Sequence, residues 1–341
     1  MKKLAYSVIV LSGILALLIF GKSIIIPFVY GLVLWFLGRY FKNLVNKIPF
    51  FKKYFPSWLV SSVVFILMVI TIGLVTGVIR SNIDTLIQAY PSYQSNIDNI
   101  IAKINETFGI DFYESLTKQL DDFEFGSLLQ SIANSITGIF GDLIMVLLYA
   151  MFIVSEETSF INKLKKIFNK TEEFEQATAI LEKINVGISN YIGLKSLVSL
   201  LTGVVGYIFL SLMGVDAPFF WALLLFLLNY IPTVGSLIAT IFPAFFSLLQ
   251  FGEFTPFLII LIGLGVLEWF VGNVLEPKIM GNSLNISPLV TILALVIWGQ
   301  LWGITGMLLS VPITVTMVIV FSQFKSTKAL AILLSENGEL K

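Results

Sequence analysis

Long uncharged runs of Leu, Ile, Val and Phe recur along the chain, separated by short polar stretches. A helix that crosses the roughly 30 Å hydrocarbon core of a bilayer needs about 20 mainly apolar residues, and this pattern supplies several. Leu4 to Phe20, behind Lys2 and Lys3, predicts a first span. A secretory leader begins the same way, but Gly21-Lys22-Ser23 offers no small-x-small cleavage site, so the segment is read as a retained helix. Ser23 to Gly38 and Ser57 to Ile79 predict the second and third spans. From Arg80 to Glu124 the chain turns polar while Ile83, Leu86, Ile87, Tyr90, Ile97, Ile100, Ile101, Ile104 and Phe108 keep helical spacing, which predicts one or two amphipathic helices outside the bilayer. A fourth span follows from about Ser131 to Val154. Phe160, Leu164, Phe168, Phe174, Ile180 and Ile184 then predict a further amphipathic helix, and Ser196 to Val215 a fifth span.

The C-terminal third is patterned differently. Ala217 to Gly252 is 36 residues without a charge and Ile279 to Phe324 is 46. As single straight helices they would be about 54 and 69 Å long, far beyond a membrane thickness, so each must fold back. The breaks are legible at Asn229-Tyr230-Ile231-Pro232-Thr233-Val234-Gly235 and at Trp298-Gly299-Gln300-Leu301-Trp302-Gly303, with Pro277 and Pro312 as further candidate hinges. Between them runs one helix, Phe254 to Leu275, carrying Glu268 and leading into Glu276-Pro277-Lys278. The fold class is therefore an all-α polytopic membrane protein of about eight segments, with two broken or re-entrant hairpin-like units in its C-terminal half.

Composition strengthens this reading: 57% of residues are hydrophobic and 12% charged, and mean hydropathy is +0.93. So few charges cannot coat a soluble domain of this size. Lys+Arg and Asp+Glu are both 21, so no charge excess points to nucleic acid, and the placement of each sign becomes informative. Basic residues cluster at Arg39, Lys42, Lys47, Lys52 and Lys53 and again at Lys163, Lys165, Lys166, Lys170 and Lys183, whereas 80–124 holds eight acidic residues against three basic ones. The positive-inside rule puts the basic loops, the N-terminus and, through Lys325 and Lys328, the C-terminus in the cytoplasm. The number of full crossings is then even, six, eight or ten, with eight favoured. The expected segmentation is 1–79 for three spans with a basic loop, 80–130 for an external insert, and 131–154 for the fourth span. A cytoplasmic amphipathic helix at 155–188, a transport core at 189–324 and a tail at 325–341 complete it.

The chain has no cysteine or histidine, which excludes disulfides, thiolate nucleophiles, Cys/His metal sites and imidazole bases. Gly21-Lys22-Ser23 resembles the tail of a phosphate loop, but position 16 is Ala16 where that loop needs glycine, so no nucleotide or other cofactor is expected. Gly73-x-x-x-Gly77 and Gly299-x-x-x-Gly303 are small-residue packing patterns. A Ser–Lys enzyme built on Lys195 with Ser196 or Ser199 has no supporting motif. Intramembrane charges are the sharper signal, because each costs at least about 2.5–3.5 kcal/mol and persists only if paired, hydrated or used. Asp142 reads as a helix N-cap near the outer surface. Glu268, Gly272 and Glu276 are four residues apart in turn, so an α-helix would put all three on one face with Asn273 close by, and Glu276 with Lys278 reads as an interfacial ion pair or part of the site. The candidate pathway residues are Glu268, Asn273, Glu276, Lys278, Asn229, Pro232, Gly235 and Gln300. The candidate hinges are Pro232, Gly235, Pro277, Gly299, Gly303 and Pro312. A pair of interrupted hydrophobic segments is also the best sequence pointer to a midplane binding site in transporters.

Three stretches carry a resemblance. Asn229-Tyr230-Ile231-Pro232-Thr233-Val234-Gly235-Ser236, Glu276-Pro277-Lys278-Ile279-Met280-Gly281 followed by Ile286-Ser287-Pro288-Leu289-Val290, and Trp298-Gly299 through Gly303-Ile304-Thr305-Gly306-Met307-Leu308-Leu309-Ser310-Val311-Pro312 resemble the signature stretches of the autoinducer-2 exporter family. The layout of early spans, polar insert and patterned C-terminal half is similar over nearly the whole chain. The resemblance implies ATP-independent transport and homo-oligomers, with members linked to export of the furanosyl signal autoinducer-2 and others to Na⁺(Li⁺)/H⁺ antiport. Three functions are weighed: a permease exporting autoinducer-2 or a related small polar solute, a cation/proton antiporter using Glu268 and Glu276, and a non-transporting membrane scaffold. The first leads, since a scaffold has no need of broken spans and a deep carboxylate. The expected partners are the bilayer, the solute or cation, and further copies of the chain.

Overall fold

The computed structural model describes residues 2–108, 143–168, 170–280 and 286–338, and every regular element among them is helical. Among the described residues, six helices are long and apolar enough to cross a membrane, and a seventh is counted if the helix Leu143–Ile167, bent by 55° between Glu157 and Ser159, is one span. The estimate of about eight segments is thus approximate. Asp142 and the insert beyond Phe108 lie outside the described residues.

The chain divides into two compact units, the first comprising Met1–Val69, Asp142–Ser196 and Met280–Lys341. It holds α1 (Lys2–Phe20), α2 (Lys22–Asn46), α3 (Pro49–Tyr54), the start of α4 (Ser57–Phe108), α5 (Leu143–Ile167) and the first part of α6 (Thr171–Leu212). Between two lipid-facing surfaces apolar burial brings no transfer gain, so helices associate where small residues let backbones approach. Gly31 of α2 is such a place: a Cβ there would lie 2.9 Å from Tyr149 Cβ and 3.1 Å from the Ala150 nitrogen of α5. Farther along the same pair, Arg39 Nη1 donates to Glu157 Oε1 at 2.9 Å and Trp35 Nε1 to Glu157 Oε2 at 3.3 Å, with the guanidinium stacked 5.1 Å from the Trp35 ring centre. One carboxylate therefore ties two helices beside the bend of α5.

The second unit comprises Ile70–Gly141 and Leu197–Ile279. It holds the remainder of α4 and α6, α7 (Pro218–Leu228), α8 (Val234–Phe251) and α9 (Phe254–Phe270). A π-helical turn at Val271–Leu275 then leads into the short α10 (Glu276–Met280). Its core is aromatic: Phe246 lies 5.2 Å from Tyr93 and 4.9 Å from Trp221, centre to centre. Gly206 beside Leu225 and Gly263 beside Phe209 bring α6 against α7 and α9.

Two expected boundaries are absent. The third span and the amphipathic stretch after it form the single α4, because Arg80-Ser81-Asn82 contains neither glycine nor proline to stop the backbone ladder, and Pro91 is carried inside the helix. Likewise the amphipathic stretch expected from Phe160 to Ile184 is divided: its start closes α5, and its remainder runs on into the fifth span within the single α6 of 42 residues. The fourth span runs in α5 past Val154 to Ile167.

The remaining elements of the first unit are α11 (Pro288–Trp302), α12 (Ile304–Gln323) and α13 (Lys328–Leu334). Both expected interruptions of the C-terminal third are present, between α7 and α8 and between α11 and α12. Pro312 does not break α12; the helix continues through it, and the Thr316 hydroxyl donates to the Pro312 carbonyl at 2.8 Å. Gly299 sits inside α11, and the corner is Gly303 alone, with φ 63° and ψ −142°. Pro277 likewise lies within α10.

Candidate functional site

The first interruption is built from strain. After Leu228 the backbone tightens, with the Ile231 N–H donating to the Leu228 carbonyl at 2.8 Å. Pro232 then withholds its donor. Thr233 adopts φ 61° and ψ −55°, and the Val234 N–H closes on the Pro232 carbonyl at 2.6 Å, which is the rare γ-turn that a β-branched residue takes only at a cost of about 1–3 kcal/mol. Gly235 follows directly, buried so close to the Leu228 carbonyl that any Cβ would drive α7 and α8 apart. Asn229 anchors the reversal: it is 7% exposed, and its Nδ2 donates to Ser199 Oγ of α6 at 3.1 Å inside the unit. Ser199, which pattern reading had set aside, is fully buried and is what holds Asn229 in place.

Glu268 lies on α9 at 8% exposure, continuing the buried stripe Ile260, Leu264. That position makes it a buried carboxylate rather than an exposed one. The uniform α-helix expected through Glu268, Gly272 and Glu276 is interrupted. Immediately after Phe270 the helix widens into the π-turn, where the Glu276 N–H donates to the Val271 carbonyl five residues back. Across that turn Val271 is buried, Gly272 and Asn273 are exposed, and Glu276 is half-buried. Asn273 supports the widened turn, its Nδ2 donating to the Trp269 carbonyl at 2.9 Å. Pro277 supplies a local reason for the π geometry: its ring would clash with the carbonyl four residues earlier in an α-turn. Lys278 is exposed and makes no ion pair with Glu276, since residues two apart on a helix face away from each other. Gln300 is exposed near the end of α11.

The first unit holds a second buried charge, Lys195 of α6, at 6% exposure. A hydropathy reading trims a span at its first charge and so began the fifth span at Ser196; the cost of burying a lysine was the signal that could have found it.

At the other end of α8, the C-terminal part of α4 acts as a latch. Asn96 Nδ2 donates to the Leu249 and Gln250 carbonyls at 3.0 and 2.7 Å, capping the C-terminus of α8. Gln250 in turn accepts from the Asp216 N–H at 2.8 Å and donates to the Gly214 carbonyl at 2.9 Å. Tyr93 OH donates to Asp216 Oδ2 at 2.7 Å. Burial, and then the bonded Asp216 carboxylate, push the phenol well above its ordinary value, so it remains a donor throughout the physiological range.

The second unit thus carries a buried carboxylate before a π-turn, a strained helix break between α7 and α8, and a side-chain latch on the far end of α8. Comparison with known proteins agrees with a transport role. Residues 8–326 match the model of the AI-2E family transporter. The AI-2 transport protein TqsA of Escherichia coli K12 is 29% identical over 96% of this chain and 95% of its own length. The putative transport protein YhhT of the same strain is 31% identical over 97% and 93%, and a putative transport protein of Borreliella burgdorferi is 32% identical over 82% and 77%. Matched from its first span to the end of α12, the chain belongs to the AI-2E family of membrane transporters.

Proposed function

We propose that this chain is a secondary permease that exports a small polar solute, autoinducer-2 or a related molecule, across the plasma membrane of a bacterium. The observation that carries this is the buried Glu268, three residues before the π-turn, because a carboxylate inside apolar helices is costly and persists only where it is paired, hydrated or used. The strained γ-turn at Thr233 supports a segment that changes shape during transport, since such strain clusters at working sites. Helices α7 and α11, at about 17 and 23 Å by their rise per residue, are shorter than the hydrocarbon core, which favours re-entrant segments over full crossings. The relative named for AI-2 transport supports the solute class. Both termini are cytoplasmic in this reading, and the chain works as a homo-oligomer.

The test is efflux of autoinducer-2 from proteoliposomes. Glu268→Gln keeps volume and hydrogen bonding, and transport should fall at least about tenfold while the protein stays folded. Wild-type efflux by this variant would sink the assignment of Glu268. A proton flux driven by added Na⁺ or Li⁺, without efflux, would replace solute export by cation exchange. Orientation is checked separately: Ser95→Cys should label with an impermeant reagent on intact cells and Lys170→Cys should not.

A further inference from the structure

A groove of about 420 Å³ opens on the first unit, walled by Val29 to Phe36 of α2, Ile184 to Ile192 of α6 and Pro312 to Phe321 of α12. Its lining is hydrocarbon. Thr316 is the one hydroxyl-bearing residue among the lining residues, and that hydroxyl is already bonded to the Pro312 carbonyl at 2.8 Å. A polar solute would lose its hydration here and gain no partner, which excludes it. An aliphatic chain loses nothing.

The dimensions match a lipid tail. Val29 to Phe36 rises about 10 Å and Pro312 to Phe321 about 14 Å along their helices, against about 15 Å of hydrocarbon in one leaflet. Charge lies beside the groove on every wall. Arg39 follows Phe36 by three residues, Lys183 directly precedes Ile184, and Lys325 and Lys328 follow Phe321 by four and seven. The Arg39 charge is met by Glu157 at 2.9 Å. Lys183, Lys325 and Lys328 are exposed and ion-pair with no carboxylate among the described residues, and Glu182 is the exposed acid beside them in sequence. The excess is positive.

The geometry points to a resident anionic phospholipid, with one acyl chain in the groove and its phosphate held by Lys183, Lys325 and Lys328. The two parts do different work. Packing in the groove fixes where a lipid sits, because chains are as apolar in the bulk bilayer as here. The lysines select which lipid sits there, since basic pockets between membrane helices attract anionic headgroups.

Native mass spectrometry of the full chain in mild detergent, titrated with phosphatidylglycerol or phosphatidylcholine of identical chains, reads occupancy directly. Phosphatidylglycerol should bind more tightly, and Lys183→Gln, Lys325→Gln and Lys328→Gln should each weaken it by about fivefold while leaving phosphatidylcholine unchanged. Val33→Trp should reduce both lipids by filling the groove. Met317→Phe is the milder groove variant if the tryptophan impairs folding, and the three lysine variants alter only exposed side chains. Equal occupancy by the two lipids overturns the proposal, as does wild-type phosphatidylglycerol binding by the triple lysine variant. So does a disulfide between two copies carrying Thr316→Cys, which would mean that a second chain covers the groove. None of these readouts depends on solute transport, so the proposal fails or stands apart from the permease reading.

Discussion

The two broken hairpins, α7–α8 and α11–α12, follow one plan and differ at the corner. Each opens on a proline at the first helical position, Pro218 or Pro288. Each then packs a glycine against a carbonyl of its own first helix, Gly235 on Leu228 and Gly306 on Trp298, closer than any Cβ could be tolerated. The second helix of each carries an internal proline, Pro243 or Pro312, without breaking. The corners are unlike. The second hairpin turns on Gly303 at φ 63°, a conformation glycine adopts at little cost. The first takes Asn229 to Thr233 to turn and ends on a threonine at φ 61°, held by the buried Asn229–Ser199 bond. A relaxed glycine corner is a fixed joint. A strained threonine corner stores about 1–3 kcal/mol that leaving this geometry would return.

The shared part of the plan should give the largest effects. Gly235→Ala and Gly306→Ala each place a methyl against a backbone carbonyl that cannot rotate away, and each should cost toward the top of about 1–3 kcal/mol, lowering the thermal midpoint in detergent by similar amounts. A harmless Gly235→Ala beside a damaging Gly306→Ala would break the equivalence. The corners should then separate the two. Gly303→Ala should cost about 1–3 kcal/mol, whereas Thr233→Gly, which exchanges strain for chain entropy, should change stability by less than about 1 kcal/mol. Equal losses at both corners would mean that Thr233 is not strained.

Smaller effects test what holds the strained corner. Ser199→Ala removes the acceptor of a buried amide and should cost about 1–2 kcal/mol, with a change in efflux rate that Ser310→Ala in the second hairpin does not reproduce. Asn96→Ala uncaps α8 and should cost about 0.5–1.5 kcal/mol. Tyr93→Phe should cost a similar amount, independent of pH up to the ordinary phenol range near 10. The sign follows from the raised phenol: its folded value lies above its unfolded one, so its contribution is complete below about pH 10 and is lost only as pH rises beyond it. A Tyr93→Phe effect that faded between pH 6 and 8 would show that the phenol's bond is not what holds the latch.

Much of the fold was legible in the residues because the membrane imposes a one-dimensional rule. Transfer into hydrocarbon is decided locally, by length and by the count of charges, so the helical class and the position of both hairpins followed from uncharged runs, Pro232 and the glycines. What failed were readings that assumed uniform helix. Nothing in the residues before Pro277 states that five of them will wind as a π-turn, and that turn changes the register between Glu268 and Glu276. Pro312 and Pro277 looked like breaks because a missing donor is a local fact, yet whether a helix stops there depends on whether neighbours hold it together. The sequence by itself determined that the protein lives in lipid, where it folds back, and that Glu268 is deep. Only the tertiary structure decided that Lys195 is buried, that Ser199 anchors Asn229, that Thr233 is strained and that Tyr93 and Asn96 latch α8, because each depends on pairing residues 30 to 153 positions apart or on a backbone angle set by its surroundings.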